Sequence, residues 1–237
     1  MKETQQAVIY GNINIKERRT REKMGGRGAS SGGSGWTGGS GGTTVNPTDI
    51  ASLISAREGK QQEVDETLQV FKDVYDEYGY AVYDMQLVTL TGKDNSALAY
   101  YDGTNIAFNQ AFFDKAKMES VYADTVKKGF HPSQGNKTAL QAVASHELGH
   151  ALTDQAISKM GGSLGKQKGA EAILKEAQKQ LKSKGTLADM AGKISGYAKH
   201  SPREAIAEAF SDVYCNGGKA RKESQAIVNV INKYAKS

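Results

Sequence analysis

The chain of 237 residues carries a single cysteine, Cys215. One thiol excludes an internal disulfide framework and a cysteine-rich zinc finger. No apolar run approaches the roughly 20 residues that a membrane-crossing helix needs. The first 25 residues are polar and charged. They lack the apolar stretch of about 7–15 residues that marks a secretory signal. Apolar residues amount to only 38%, which still suffices for one core. Glycine, at 27 residues, gathers near one end, so the chain is not collagen-like. What remains is one ordinary domain, or one domain with a tail. Its expected place is the cytoplasm, with export by a non-classical route left open.

The net charge of +5 is not spread evenly. Residues 1–45 hold Lys2, Lys16, Arg18, Arg19, Arg21, Lys23 and Arg27 against Glu3, Glu17 and Glu22. That excess of four leaves the rest of the chain close to neutral. A basic globular face for nucleic acid is therefore not expected, beyond weak contact through a basic arm.

Residues 25–42 include ten glycines and four serines. Such a stretch loses much backbone entropy on ordering and has almost nothing to bury. Three parts are expected: an arm over 1–24, a Gly/Ser linker over 25–45, and a domain over 46–237. The arm has one β-like piece, Ala7-Val8-Ile9-Tyr10, and a charged run from Lys16 to Lys23. Its composition is that of a solvated tail. Trp36 stands alone in the linker, and order is expected from about Asn46-Pro47-Thr48-Asp49.

Within the domain, Val64, Leu68, Phe71, Tyr75 and Tyr78 recur at helical spacing, and Gly79 is a plausible stop. Ala81 to Thr91 is β-rich. Ala97–Tyr101 and Asn105–Phe108 flank Asp102-Gly103, a hairpin signature. Helical patterns follow over 112–127, 169–184, 187–198 and 220–235. Two more helices open on caps. Thr138-x-x-Gln141 is a capping box, and Ser201-Pro202-Arg203-Glu204 has serine at the N-cap and proline at N1. No internal repeat is visible. A helix, a small sheet and then a helical half predict an α+β fold.

His146-Glu147-Leu148-Gly149-His150 reads HExxH within one of those helices. Residues four apart lie above one another on a helical face. Two imidazoles there can bind one Zn²⁺ at about 2.0–2.1 Å. Glu147 is offset around the helix and can act as a base without ligating the metal. Gly149 suggests close backbone approach by a neighbour. A catalytic zinc needs a third protein ligand and an open position. His131 and His200 read as surface histidines, and Cys215 as a buried structural thiol. Glu204, Glu208 and Asp212 are better candidates. They are four apart on one face, amid Ala205, Ile206, Ala207, Ala209 and Phe210, and acids beside an apolar face need a partner. Serine–histidine catalysis has no support, for no GxSxG elbow is present.

HELGH followed by the EAIAEAF helix resembles the gluzincins, a zincin-like fold of metallopeptidases whose third zinc ligand is a glutamate on a later helix. The nearest likeness is to the catalytic domain of anthrax lethal factor and the pro-pro endopeptidases. In that group a tyrosine lies seven residues before the ligand glutamate and a second glutamate four after it. Tyr197, Glu204 and Glu208 match. The resemblance implies one Zn²⁺ held by His146, His150 and Glu204. It implies Glu208 orienting a histidine, and Tyr197 donating to the oxyanion. A second register is open. Thermolysin-like gluzincins carry ExxxD, which Glu208-Ala209-Phe210-Ser211-Asp212 fits, and His150-Ala151-Leu152-Thr153-Asp154 is also similar to that group. In that register Glu208 is the ligand and Asp212 supports it. The first register is preferred because it alone gives Tyr197 a role, and because the gap after His150 is long. The likeness covers about residues 80–215, through two short blocks.

The expected function is zinc-dependent endopeptidase action on a peptide or protein, with Glu147 as general base. The hairpin over 97–109 could offer an edge strand to an extended substrate. Two rivals stand beside it. One is a catalytically idle zinc domain in a structural or assembly protein of a phage or mobile element, acting through its basic arm. The other is an effector protease with one target in a host cell. Cleavage preference, the role of the arm and the oligomeric state are not legible in the sequence.

Overall fold

The computed structural model describes residues 7–10, 13–16, 60–79, 85–92, 95–161 and 164–236. In chain order the elements are β1 (Ala7–Tyr10), β2 (Ile13–Lys16), α1 (Gln61–Tyr78), β3 (Met85–Val88), β4 (Ala99–Tyr101), β5 (Ile106–Asn109), α2 (Lys115–Lys127), α3 (Ala139–Lys159), α4 (Lys166–Gln180), α5 (Leu187–Gly192), a 3-10 turn (Tyr197–His200), α6 (Pro202–Asn216), a second 3-10 turn (Gly217–Lys219) and α7 (Lys222–Ala235). The fold is mixed α+β, mostly helical. No described helix is long and apolar enough to cross a membrane. The linker with Trp36, the run 17–23, the stretch 46–49 and residues 81–84 lie outside the described residues.

A three-stranded part, β3-β5-β4, is continued by β2 and β1, giving the order β1-β2-β3-β5-β4. β3 runs parallel to β2 and to β5, while β4 is antiparallel to β5 and ends the order. Segment 1–24 thus supplies two strands. Only the first was expected from the sequence.

The β4–β5 turn forms as its residues require. Asp102 Oδ1 accepts from the backbone N–H of Thr104 at 2.9 Å and of Asn105 at 2.8 Å. Gly103 sits at φ 106°, where an L side chain is strained. Asn109, fully buried, donates its amide to Asn95 O at 3.0 Å and Ala97 O at 2.9 Å. One side chain in β5 therefore fixes the segment leading into β4.

α3 is the central helix. Fifteen of its 21 residues are buried, more than the single stripe of a surface helix. It packs against α1, α6, α7 and β4. Thr138 and Gln141 form the expected capping box. Ser201 caps α6, accepting from Glu204 N at 3.1 Å with Pro202 at the first position. α1 runs as its periodicity predicts and ends at Gly79 in the left-handed region, but Val74 rather than Tyr75 completes its buried face.

The single helix expected over 187–198 is a correction. It breaks after Gly192. Ser195 Oγ accepts from Ala198 N at 3.0 Å. The N–H groups of Gly196 and Tyr197 turn outward to Gly129 O at 2.8 Å and Phe130 O at 3.0 Å. Bonds to a distant loop replace the helical ladder, and they set where Tyr197 stands.

Candidate metal centre

Two helices build the centre. α3 presents His146 and His150 one turn apart, and α6 lies across it with Glu204 and Glu208. Their close approach is written into small residues. A Cβ built on Gly149 would stand 2.9 Å from Ala207 Cα and 3.1 Å from Phe210 Cβ. Asp154, one turn beyond His150, pairs with Arg203 at the start of α6 and with Lys166 at 2.8 Å. The charged pair pins the end of α6 that carries Glu204.

His146, His150 and Glu204 form a cluster that can hold a metal ion, with one ligand atom from each within 4.8 Å of the others. Glu204 Oε2 lies 3.2 Å from His146 Nε2 and 3.4 Å from His150 Nε2. These lengths suit hydrogen bonds, but the directions do not. Glu204 Oε2 is buried without a hydrogen-bond partner. Such an orphan is costly inside a protein. The lengths do match the edge of a coordination tetrahedron, about 3.3–3.4 Å for bonds of about 2.0–2.1 Å. Two imidazole nitrogens and a carboxylate oxygen are also a donor set zinc takes. The residues fit the ion.

Glu208 takes a different position. Its Oε1 accepts from His131 Nδ1 at 2.9 Å and lies 2.8 Å from His146 Nδ1, a charge-pair contact without the direction of a hydrogen bond. Its Oε2 accepts from Ser195 Oγ at 2.7 Å. It therefore sits behind His146, on the ring nitrogen away from Glu204. Such a carboxylate orients a ligand histidine and raises its basicity. Asp212 faces elsewhere. It accepts from Arg221 N at 3.0 Å, Ser224 Oγ at 2.7 Å and Asn216 Nδ2 at 3.0 Å, and so holds the start of α7. All three acids are 1% exposed; Glu208 and Asp212 have hydrogen-bond partners, and Glu204 Oε2 has none.

The electrostatics follow from burial and pairing. Burial pushes the Glu204 carboxyl up, but His150 and His146 outweigh it and hold it well below the usual range. Burial likewise pushes Glu208 up, and His131 and His146 bring it down. Burial lowers His146, yet Glu204 and Glu208 together hold its proton well above the ordinary value. A divalent ion would take the place of that proton, which is how metal binding releases protons. Glu147 differs from the other acids. Burial raises it, His146 and His150 pull it back, and Tyr101 of β4 donates a backbone hydrogen bond to it. A raised carboxyl beside a metal cluster has the character of a base that must later return its proton.

Glu147 and His146 open onto a cavity of about 270 Å³ between α3, α2 and the segment leading into β4. Ser96–Ala99 form one wall, so the edge strand runs beside the catalytic candidates. Tyr197 lines the same cavity, its ring centroid 5.9 Å from that of His146.

The sequence missed His131. It read as a surface residue but lies in this cavity against Glu208, Tyr122 and Tyr197. Its loop has no periodic signal, so nothing local announced it. His200 is exposed, as expected, with its ring 5.0 Å from that of Tyr197. Cys215 is buried and free.

Compared with protein-family models, with curated proteins and with solved structures, the chain matches none of them.

Proposed function

We propose that this chain is a zinc-dependent endopeptidase of the gluzincin type. One observation carries the reading: ligand atoms of His146, His150 and Glu204 converge, and of this group His146, together with the buried Glu147, lines an open cavity. A structural zinc site is closed by four protein ligands, whereas three ligands with an open side are the pattern of catalytic zinc. Bound zinc supplies an acidified water, with its pKa brought toward about 7, and a Lewis acid for the peptide carbonyl.

The chain's own groups do the rest. Glu147 takes a proton from the attacking water and passes it to the leaving amine. Burial favours its protonated state, so the carboxyl can hold that proton between the two transfers. Tyr197 offers a hydroxyl where negative charge develops on the carbonyl oxygen. Glu208 keeps His146 in the tautomer whose Nε2 faces the metal. β4, at the end of the sheet order, offers its edge to an extended peptide, and its Tyr101 N–H fixes Glu147.

The test is elemental analysis together with peptide hydrolysis. The wild type should hold one zinc per chain and cut peptides. Glu147→Gln should keep zinc and lose hydrolysis. Glu204→Ala should lose zinc, and Glu208→Ala should retain it with weaker affinity, about 10- to 100-fold. Absence of zinc after metal addition, or full activity in Glu147→Gln, would overturn the reading.

A further inference from the structure

The cavity holds an imidazole that has no part in the proposed reaction. His131 lines it together with Leu98, Val121, Tyr122, Phe130 and Val143. Ser96 and Thr125 add hydroxyls to these apolar and aromatic residues, and His146, Glu147 and Glu208 line the side toward the ligand cluster. At about 270 Å³, the space falls below the roughly 300–1,000 Å³ of pockets that enclose a whole small ligand. It suits one large side chain.

His131 is held rather than free to swing. Its Nδ1 lies 2.9 Å from Glu208 Oε1. A carboxylate only accepts, so Nδ1 carries the hydrogen. The ring lies flat on Tyr122, with centroids 5.5 Å apart and 11° between planes. It meets Tyr197 edge-on at 5.3 Å. The loop beneath it is tied to the Tyr197 turn by the two backbone bonds to Gly129 and Phe130. The other nitrogen, Nε2, has no hydrogen-bond partner among the described residues. It is not a sealed orphan either, and the residue that carries it lines the cavity.

We propose that His131 is a specificity-determining residue whose Nε2 hydrogen-bonds the hydroxyl of a substrate tyrosine next to the scissile bond. This rests on the endopeptidase reading above. A hydroxyl both donates and accepts, so it suits Nε2 with or without a hydrogen. An ammonium suits only the lone-pair form and a carboxylate only the N–H form. The apolar and aromatic walls receive the faces of the phenol ring. Phenylalanine fills the same space but leaves Nε2 desolvated and unpaired, which is unfavourable. Discrimination of this kind is strongest where a site is built to bond a group that the competitor lacks.

The variant that isolates the effect is His131→Asn. Its amide can still donate to Glu208 from the Nδ1 position, while Nε2 is removed. Pooled random peptides are digested by wild type and variant, and cut sites are read by mass spectrometry. At one flanking position the wild type should favour tyrosine over phenylalanine about 3- to 10-fold, the worth of one net hydrogen bond. His131→Asn should bring that ratio to about one with zinc content retained. His131→Phe serves where the asparagine variant fails to fold. A second arm needs no turnover. Blocked Ala-Tyr-Ala and Ala-Phe-Ala are titrated by calorimetry into zinc-loaded Glu147→Gln, with and without His131→Asn. If the wild type cuts nothing, a His131-dependent tyrosine preference in binding still supports the residue's role while the endopeptidase reading falls. Equal treatment of tyrosine and phenylalanine by the wild type, or a preference that survives His131→Asn, overturns the inference.

Discussion

Gly149 and Ala207 meet backbone to backbone, so that a Cβ on the glycine would lie 2.9 Å from Ala207 Cα. This contact sets the depth at which α6 lies on α3, and hence how closely Glu204 approaches the two histidines. Gly149→Ala tests it. Alanine is favoured in a helix interior by about 1 kcal/mol. Overpacking against backbone, which cannot rotate away, opposes it by about 1–3 kcal/mol. The clash wins by about 1 kcal/mol, and the melting temperature should fall by about 2–4 °C. Zinc should also be held more weakly, because parting the helices draws Glu204 from His146 and His150. Thermal melts and competition with a chelator measure both. An unchanged melt with unchanged zinc affinity would mean that the helices slide freely.

Asp212 separates the two registers that the sequence allowed. Its carboxylate serves Arg221 and Ser224 at the start of α7 and Asn216 at the end of α6. Asp212→Asn keeps the shape but removes the charge and misplaces a donor. A loss of about 1.5–3 kcal/mol is expected, the range for a hydrogen bond to a charged group. Zinc per chain should not change. Denaturant unfolding and elemental analysis on one preparation give the answer. Zinc lost without destabilisation would instead favour Glu208 as ligand with Asp212 behind it.

Local signals carried much of this in the sequence. His146, Glu147 and His150 were legible because one helix fixes their spacing. The caps at Thr138 and Ser201 were legible because they are chemical, while the acid spacing offered Glu204, Glu208 and Asp212 alike and only the resemblance to the lethal-factor group favoured Glu204. His131 was not legible. It reaches Glu208 across 77 positions, through a loop aligned by tertiary bonds, among them those to residues 196–197 and from Tyr122 Oη to Pro132 O. The break after Gly192 was hidden for the same reason. Apolar spacing over 187–198 suits a helix, and tertiary hydrogen bonds override it. β2 was missed although Ile13-Asn14-Ile15-Lys16 alternates apolar and polar residues as a strand does: the run is only four residues long in a polar segment, and its partner β3 lies 72 positions away in register.

Cys215 offers a clean reporter of folding, since it is the only thiol. Burial pushes it from 9.0 up to about 11. At pH 8 roughly one folded molecule in a thousand carries the reactive thiolate. Ellman's reagent should therefore react slowly with the native protein and fully on unfolding. Stability carries a matching pH dependence. Above pH 9 the unfolded thiol ionises while the folded one keeps its proton, so the native state loses ground as pH rises. From pH 8 to pH 10 the wild type should lose about 1 kcal/mol more than Cys215→Ala. Rapid native labelling at pH 8 would contradict the burial of this residue.

Tyr197 provides the sharpest division between binding and chemistry. Burial, and then the charges of Glu204, Glu147 and Glu208, raise its hydroxyl far above the ordinary phenol range. It stays an O–H donor through neutral and mildly alkaline solution. Its ring is held among His131, His146 and Phe130, and its N–H is tied to Phe130 O. Little rearrangement is then needed when charge develops on a carbonyl oxygen beside it. Tyr197→Phe removes only the donor. Under the proposed function kcat should fall about 10²- to 10³-fold, the loss seen for one oxyanion donor. KM should stay within a few-fold, and zinc content should be unchanged. Steady-state kinetics across pH 6–9 separate the cases, because a group that only binds substrate raises KM and spares kcat. A rise in KM alone would move Tyr197 from the reacting oxygen to the substrate's periphery, and the register built on Glu204 would lose one of its supports.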